Sequence, residues 1–327
     1  MNRSLPGEAT PGAGASIVTL TVNPCIDESA VVDQVVADRK LRCGPPRYEP
    51  GGGGINVARA IRRLGGDALA IYPAGGPAGG LLASLLAREG VAHRPIPIAG
   101  WTRENLNVSE QSTGRQFRFV LPGPPLAVRE WEALLEEVEG LRPFPDYVVA
   151  SGSLPPEVPS DFLARVGRMS RERGARFVLD ASGEAAKAAL EEGVFLVKPS
   201  LREFQHLTGL ADAEETHLVA ESKRWIASGR CEAVVLSLGA AGVLWVTAGS
   251  SERLLSPTVP VRSTVGAGDS LLAGIVLRLA QGHPMGDAVR FGIAAGAATV
   301  MNPGTELCHR VDAERLYEQM TPVLATA

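Results

Sequence analysis

Hydrophobic positions along the chain gather into short apolar runs separated by amphipathic stretches, the alternation expected when buried strands are followed by helices. An apolar strand is predicted over residues 17–22, ending in Asn-Pro-Cys-Ile-Asp27, which delivers polar groups to a strand end. Glycines 51–54 open a helix over 55–64, stopped by Gly65-Gly66. A strand at 68–72, a loop at 73–80 and a helix at 81–89 form the next unit. Beyond Pro122 the rhythm continues, with helices at 130–141, 160–173, 201–207, 213–228, 270–281 and 285–301. The intervening strands fall at 147–150, 177–180, 194–197 and 233–238, with hairpin strands near 242–246 and a strand-like stretch at 258–261. The pattern implies a Rossmann-like α/β fold, a largely parallel sheet flanked by helices with right-handed crossovers.

Two stretches interrupt that rhythm. Residues 28–48 alternate loosely, and 97–122 contain a hairpin signature in which 105–110 and 116–121 flank Ser112-Thr-Gly114. Both are expected to form short strands of a small separate sheet, a lid over the main one. A sheet with so little core needs a partner surface, so the same segments are the candidates for a homodimer contact. The first fifteen residues are mostly Pro, Gly, Ala and Ser and are expected to be a disordered tail, with one domain over 16–327.

Composition narrows the class of partner. With 45% hydrophobic and 21% charged residues, the 327-residue chain can bury a sizeable core, and 37 glycines supply backbone that can approach a ligand closely. A formal net charge of -4 provides no basic field for nucleic acid or anionic lipid, so the expected partner is a small molecule. No apolar run reaches the roughly 20 residues of a membrane span, and no secretory h-region is present, which predicts a cytoplasmic protein. Cys25, Cys43, Cys231 and Cys308 lack metal or framework spacing and read as reduced thiols. His93, His206, His217, His283 and His309 show no metal-ligand spacing either.

The strongest local chemistry lies in Thr264-Val-Gly-Ala-Gly-Asp269, ahead of an apolar helix. Gly266 and Gly268 let backbone N–H groups face an anion, and the helix N-terminus adds a favourable dipole. A carboxylate facing the same anion makes sense if Asp269 takes a proton from an attacking hydroxyl. The same residues also suit a glycine turn with Asp269 as a plain N-cap. Gly51-Gly-Gly-Gly-Ile-Asn56 matches neither the P-loop nor GxGxxG; it suits a sugar or phosphate lying against the chain, with Asn56 bonding hydroxyls, or simply a close-packed helix entrance. Ser237-Leu-Gly-Ala-Ala-Gly242 can shape a flat nucleotide groove by backbone alone, though the bare pattern is more often just a turn, and Ser151-Gly-Ser-Leu-Pro-Pro156 places a hydroxyl at another strand end. Lys40, Arg42 and Arg103 on the two lid segments are the cations that could meet a phosphate, or else solvated surface charges.

In this order, with Lys198-Pro199 followed by Glu203, these motifs resemble the ribokinase/PfkB family of carbohydrate kinases over about residues 17–308. Lys40-Leu-Arg-Cys43, Glu49 to Ile61, Trp101-Thr-Arg103, Ser182-Gly-Glu-Ala185 and Ser263 to Ser270 resemble most its branch of minor, PfkB-type 6-phosphofructokinases. The resemblance implies a ribokinase-like fold and transfer of phosphoryl from ATP to the C1 hydroxyl of fructose 6-phosphate. It implies Asp269 as base and Gly266, Ala267 and Gly268 around the transferring group. Asp27, Gly52, Gly53 and Asn56 would hold the sugar, Lys40, Arg103 and Ser153 its existing 6-phosphate or neighbouring polar atoms, and Arg42 would reach a partner subunit's site. Lys198, Ser200, Glu203, Ser237, Gly239 and Gly242 would line the nucleotide site, with Glu203 supporting magnesium (Mg2+) through water and a potassium-type ion (K+) near the Gly-Ala-Gly-Asp loop.

The chain departs from the family at Ser200, where an Asn-x-x-Glu motif reads Ser200-Leu-Arg-Glu203. Tagatose-6-phosphate kinases and 1-phosphofructokinases carry lysine where this chain has Gly53; Lys40 would supply that cation instead. Those two activities remain the enzymatic alternatives, and a non-catalytic sugar-phosphate or nucleotide sensor is the alternative of another class.

Overall fold

The computed structural model describes residues 16–212 and 214–320; the tail expected over 1–15 lies outside them. The chain runs through β1 (Ile17–Leu20), β2 (Cys25–Val32), β3 (Arg47–Gly51), α1 (Gly53–Arg63), β4 (Leu69–Ala74), α2 (Gly76–Arg88), β5 (Ala92–Pro97), β6 (Arg103–Glu110) and β7 (Gln116–Phe119). It continues through α3 (Val128–Glu139), β8 (Tyr147–Ser151), α4 (Phe162–Glu172), β9 (Arg176–Asp180), α5 (Gly183–Glu192), β10 (Val194–Val197), α6 (Leu201–Thr208) and α7 (Glu215–Ala227). Then come β11 (Cys231–Ser237), β12 (Val243–Thr247), β13 (Ser251–Leu254), α8 (Ala267–Ala280), α9 (Met285–Val300) and α10 (Arg310–Met320).

Nine strands form the main sheet in the order β13-β12-β11-β10-β9-β8-β1-β4-β5. All neighbours from β11 to β5 are parallel, and β12 and β13 add an antiparallel edge. Alternate residues of each strand feed two cores. Ile17, Tyr147, Val149, Val178, Ala233 and Val235 pack against α1, α2, α8, α9 and α10. Val18, Leu20, Val148, Leu179, Val234 and Leu236 pack against α3 to α7. The strands therefore read as continuous apolar runs, because both faces are covered.

The second sheet has the order β3-β2-β6-β7, with β2 and β6 parallel and the other pairs antiparallel. It begins at Cys25 and not at 28, so Asp27 sits inside β2, where the sequence pattern placed it at the end of the first main-sheet strand. Residues 33–46 join β2 to β3 without strand structure, so Lys40 to Cys43 lie on an exposed connection and not on a strand. Register puts Asp27 opposite Glu49 and Asn105 on one face, and Tyr48, Glu28, Leu106 and Phe119 in a row on the other.

Other expectations shift for local reasons. The stretch 258–261 is not a strand, α2 starts within the predicted loop, and α8 begins at Ala267, three residues before the apolar run. β5, α5 and α10 are unforeseen. β5 contains Pro95 and Pro97, tolerable because it is the sheet's last strand. α5 buries only Ala186, Ala189 and Leu190, too small a stripe to register as amphipathic.

Candidate active site

The parallel strands deliver their carboxyl ends to one edge of the main sheet, and the N-termini of α1 and α8 point at that edge. Gly266 caps α8 at φ 75°, a left-handed conformation that favours glycine, and places Asp269 in the first helical turn. The Asp269 carboxylate is met by Asn56 of α1, whose Nδ2 donates to Oδ2 at 2.9 Å. The Asp269 carboxyl is pushed up to about 6, by burial first and then by Asp180 and, more weakly, Asp27, with Asn56 and Lys198 acting against them. An acid so tuned is half-ionised near pH 6 and mostly ionised at pH 7, the condition under which it can take a proton from an alcohol.

Lys198, which follows β10, is buried and pairs with Asp180 at 3.0 Å, while Asp180 also accepts from Ser151 Oγ at 3.1 Å. Burial alone would lower the Lys198 pKa, yet Asp180, with Asp269 and Glu203 adding to it, holds the pKa above its ordinary value. A fixed ammonium thus stands at the site, and a Cβ at Gly268 would lie 3.5 Å from its Nζ. The bare Gly268 leaves that flank open for an anion between the lysine and the α8 N-terminus.

Gly53 stands against β8: a Cβ there would lie 2.2 Å from Ser151 Oγ and 2.8 Å from its carbonyl carbon. No side chain fits at Gly53 on this backbone, so any cation for a sugar phosphate has to come from elsewhere. On the small sheet, Asp27 Oδ1 accepts from Asn105 Nδ2 at 3.0 Å, which also donates to Cys25 Sγ at 3.1 Å. Burial and the Asp27 carboxylate push the Cys25 thiol far up, which keeps it protonated and unreactive. Arg103 donates to the carbonyls of Leu121 and Asn23, each at 3.0 Å, and its buried Nε has no partner among the described residues. Asn23 in turn donates to Ser153 Oγ at 3.1 Å. Arg103 therefore braces the junction of the two sheets and keeps one donor in reserve.

After β10, Ser200 caps α6: its Oγ accepts from the Glu203 amide at 3.3 Å and donates to Glu203 Oε2 at 2.7 Å. Ser237 N donates to the Pro199 carbonyl at 3.0 Å, stitching together the loops after β10 and β11. Gly239, at φ 62°, has open space beside it, whereas a Cβ at Gly242 would lie 2.0 Å from the Leu254 carbonyl, so Gly242 seats the turn against β13. Among the described residues Lys40 and Arg42 make no hydrogen bond or ion pair, and both stand exposed on the connection from β2 to β3.

Asp27, Asn56, Lys198, Asp269 and the glycines are thus gathered at one edge, whereas no contact joins Lys40 or Arg42 to that group among the described residues. Asp180, Asn105, Asn23 and Arg59 were missed by sequence reasoning. Asp180 ends an apolar strand as Ser151 does, a signal available in the sequence; Asn105 and Arg59 sit in ordinary strand and helix positions and gave none.

The model of the pfkB family carbohydrate kinases matches residues 20–311. An ATP-dependent 6-phosphofructokinase isozyme 2 of Mycobacterium tuberculosis is 46% identical over 302 residues, 92% of this chain and 89% of that protein. The structure of phosphofructokinase-2 from Escherichia coli in complex with fructose-6-phosphate superposes with a TM-score of 0.88 at 39% identity, covering 94% of this chain and 99% of that one. The same enzyme in complex with potassium gives 0.89 at 40% identity, again over 94% and 99%.

Proposed function

The chain belongs to the pfkB family of carbohydrate kinases, and on that premise we propose that it transfers the γ-phosphoryl group of ATP to the C1 hydroxyl of fructose 6-phosphate. The observation that carries the reading is the Asn56–Asp269 pair at the N-terminus of α8, beside the buried ammonium of Lys198. Asp269 accepts the proton of the C1 hydroxyl as its oxygen bonds to the γ-phosphorus. The bond from that phosphorus to the β,γ-bridging oxygen breaks, ADP leaves with the electron pair, and the proton passes to water as product departs. Gly266, Ala267 and Gly268 present backbone N–H groups to the transferring phosphoryl, and Lys198 offsets its charge.

Asp27 and Asn56 hold sugar hydroxyls, and Lys40, Arg103 and Ser153 take the 6-phosphate. Arg42 extends toward the partner subunit's site, and Ser237 and Gly239 floor the adenine groove. Among the described residues no cluster of three or more His, Cys, Asp or Glu side chains could hold a metal on its own. That suits magnesium, which binds through nucleotide phosphates and water with one or two carboxylates. Glu203 is the acceptor for its water shell, and magnesium there would neutralise phosphate charge. A potassium ion near the Gly-Ala-Gly-Asp loop belongs to the same proposal.

Gly53 favours fructose 6-phosphate over the alternatives. A lysine cannot stand there without displacing Ser151, so the phosphate-binding cation is assigned to Lys40. The small sheet acts as a lid that excludes water during transfer. Its outer row of Tyr48, Leu106 and Phe119 forms the contact of a cytoplasmic homodimer. Among the described residues no helix is long and apolar enough to cross a membrane. The test is a panel of initial rates with ATP and fructose 6-phosphate, fructose 1-phosphate or tagatose 6-phosphate. Fructose 6-phosphate is expected to have the highest kcat/KM; a clear preference for either of the others overturns the assignment, and no transfer to any sugar leaves the sensor reading.

A further inference from the structure

Arg59 stands on α1 one turn after Asn56 and is among the largest fully buried side chains. An isolated guanidinium there would be very costly. Glu89, at the end of α2, accepts from Nε at 2.8 Å and from Nη2 at 2.7 Å, and Glu49 of β3 lies 3.7 Å from Nη2. Those carboxylates satisfy one side of the fork. Nη1 on the other side donates to the Pro50 carbonyl at 2.7 Å and to Asn56 Oδ1 at 3.2 Å. Glu49 and Pro50 belong to the strand by which the small sheet meets α1, and Glu49 also accepts from Thr305 after α9.

An asparagine amide can present either its oxygen or its NH2 group to a neighbour, whereas arginine only donates. Arg59 therefore accepts only Oδ1 as its neighbour and leaves Nδ2 for Asp269. When Asp269 takes up a proton it becomes a weaker acceptor, and its own hold on the amide slackens; the hold exerted by Arg59 does not. We propose that Arg59 is a positioning residue, keeping the Asn56 amide turned with Nδ2 toward Asp269 and tying that setting to the small sheet through Pro50 and Glu49. This rests on Asp269 acting as the base in the reading above.

The test is a double-mutant cycle between Arg59→Lys and Asn56→Ala, scored by kcat and by KM for both substrates on protein of verified native circular dichroism. Lysine keeps the charge but loses the fork that meets Glu89 and Asn56 together. Arg59→Lys is expected to lower kcat roughly ten- to hundredfold, the scale of a small misplacement of a reacting group, with KM for ATP within about threefold. In the Asn56→Ala background the same change is expected to lower kcat no further. An unchanged kcat in the single variant, or losses that multiply in the double variant, overturns the proposal. Should Arg59→Lys fail to fold, Glu89→Gln takes its place with a smaller loss that again vanishes with Asn56→Ala; losses that multiply, or none, overturn it there too. An inactive wild type would instead sink the kinase reading, so the two failures are told apart.

Discussion

A carboxyl group whose pKa has been lifted to about 6 is ionised enough at pH 7 to act as a base, yet loses that role quickly in acid. If Asp269 must be ionised to accept the proton, kcat/KM for the sugar falls as pH drops through about 6 and is flat above it until another group titrates. The sugar's own phosphate loses its second proton near the same pH, about 6, so the limb alone is ambiguous. Asn56→Ala separates the two. Asn56 lowers the Asp269 pKa, so removing its donor, with Asp180, Lys198 and Asp27 still facing the carboxyl, moves the protein's limb to higher pH and leaves the phosphate's in place. A limb that stays put in pH–rate profiles of that variant would detach it from Asp269. At this scale Asp269, Asn56 and Asp27 were legible, because acids and amides at glycine-rich strand and helix ends have few reasons to be there. Arg59 and Asn105 were not, because their importance comes from partners that are far away in sequence: Glu89 lies thirty positions from Arg59, and Asp27 seventy-eight from Asn105.

Elements were legible wherever burial imposed a period. The main strands are apolar on both faces, and α1 shows a strong amphipathic stripe, so both emerged from pattern alone. Signals weakened where packing used small or irregular residues: α5 buries two alanines and one leucine, and β5 carries prolines at the sheet edge. Asp27 was assigned to the wrong element because Asn23 and Pro24 interrupt the chain and let β2 turn away into the second sheet. That sheet supplies a prediction of its own. Tyr48, Leu106 and Phe119 share its outer face, and Phe119 is 52% exposed in the single chain. A charge placed in a buried contact without a partner is strongly unfavourable. If that face forms the proposed dimer contact, Phe119→Glu is expected to shift the protein from dimer to monomer in analytical ultracentrifugation; an unaltered dimer would move the contact elsewhere.

Across the whole molecule, strand ends and two helix N-termini converge on one edge, and the small sheet rises beside it carrying Asp27. The arrangement separates two jobs. On the proposed reading, the loops after β10 and β11, with the α8 N-terminus, would take the nucleotide, while Asp27, Asn56 and the exposed cations of 33–46 would take the sugar phosphate. Asp269 stands in the first turn of α8 and its proposed part is to take the proton, so removing its basicity ought to spare nucleotide affinity and slow transfer. Asp269→Asn keeps the shape and an acceptor for Asn56 but cannot take the proton. Measured side by side on wild type and Asp269→Asn, the Kd for ATP is expected to change by less than about threefold while the rate of fructose 1,6-bisphosphate formation falls roughly 10²- to 10⁴-fold. Retained turnover in that variant would contradict the account.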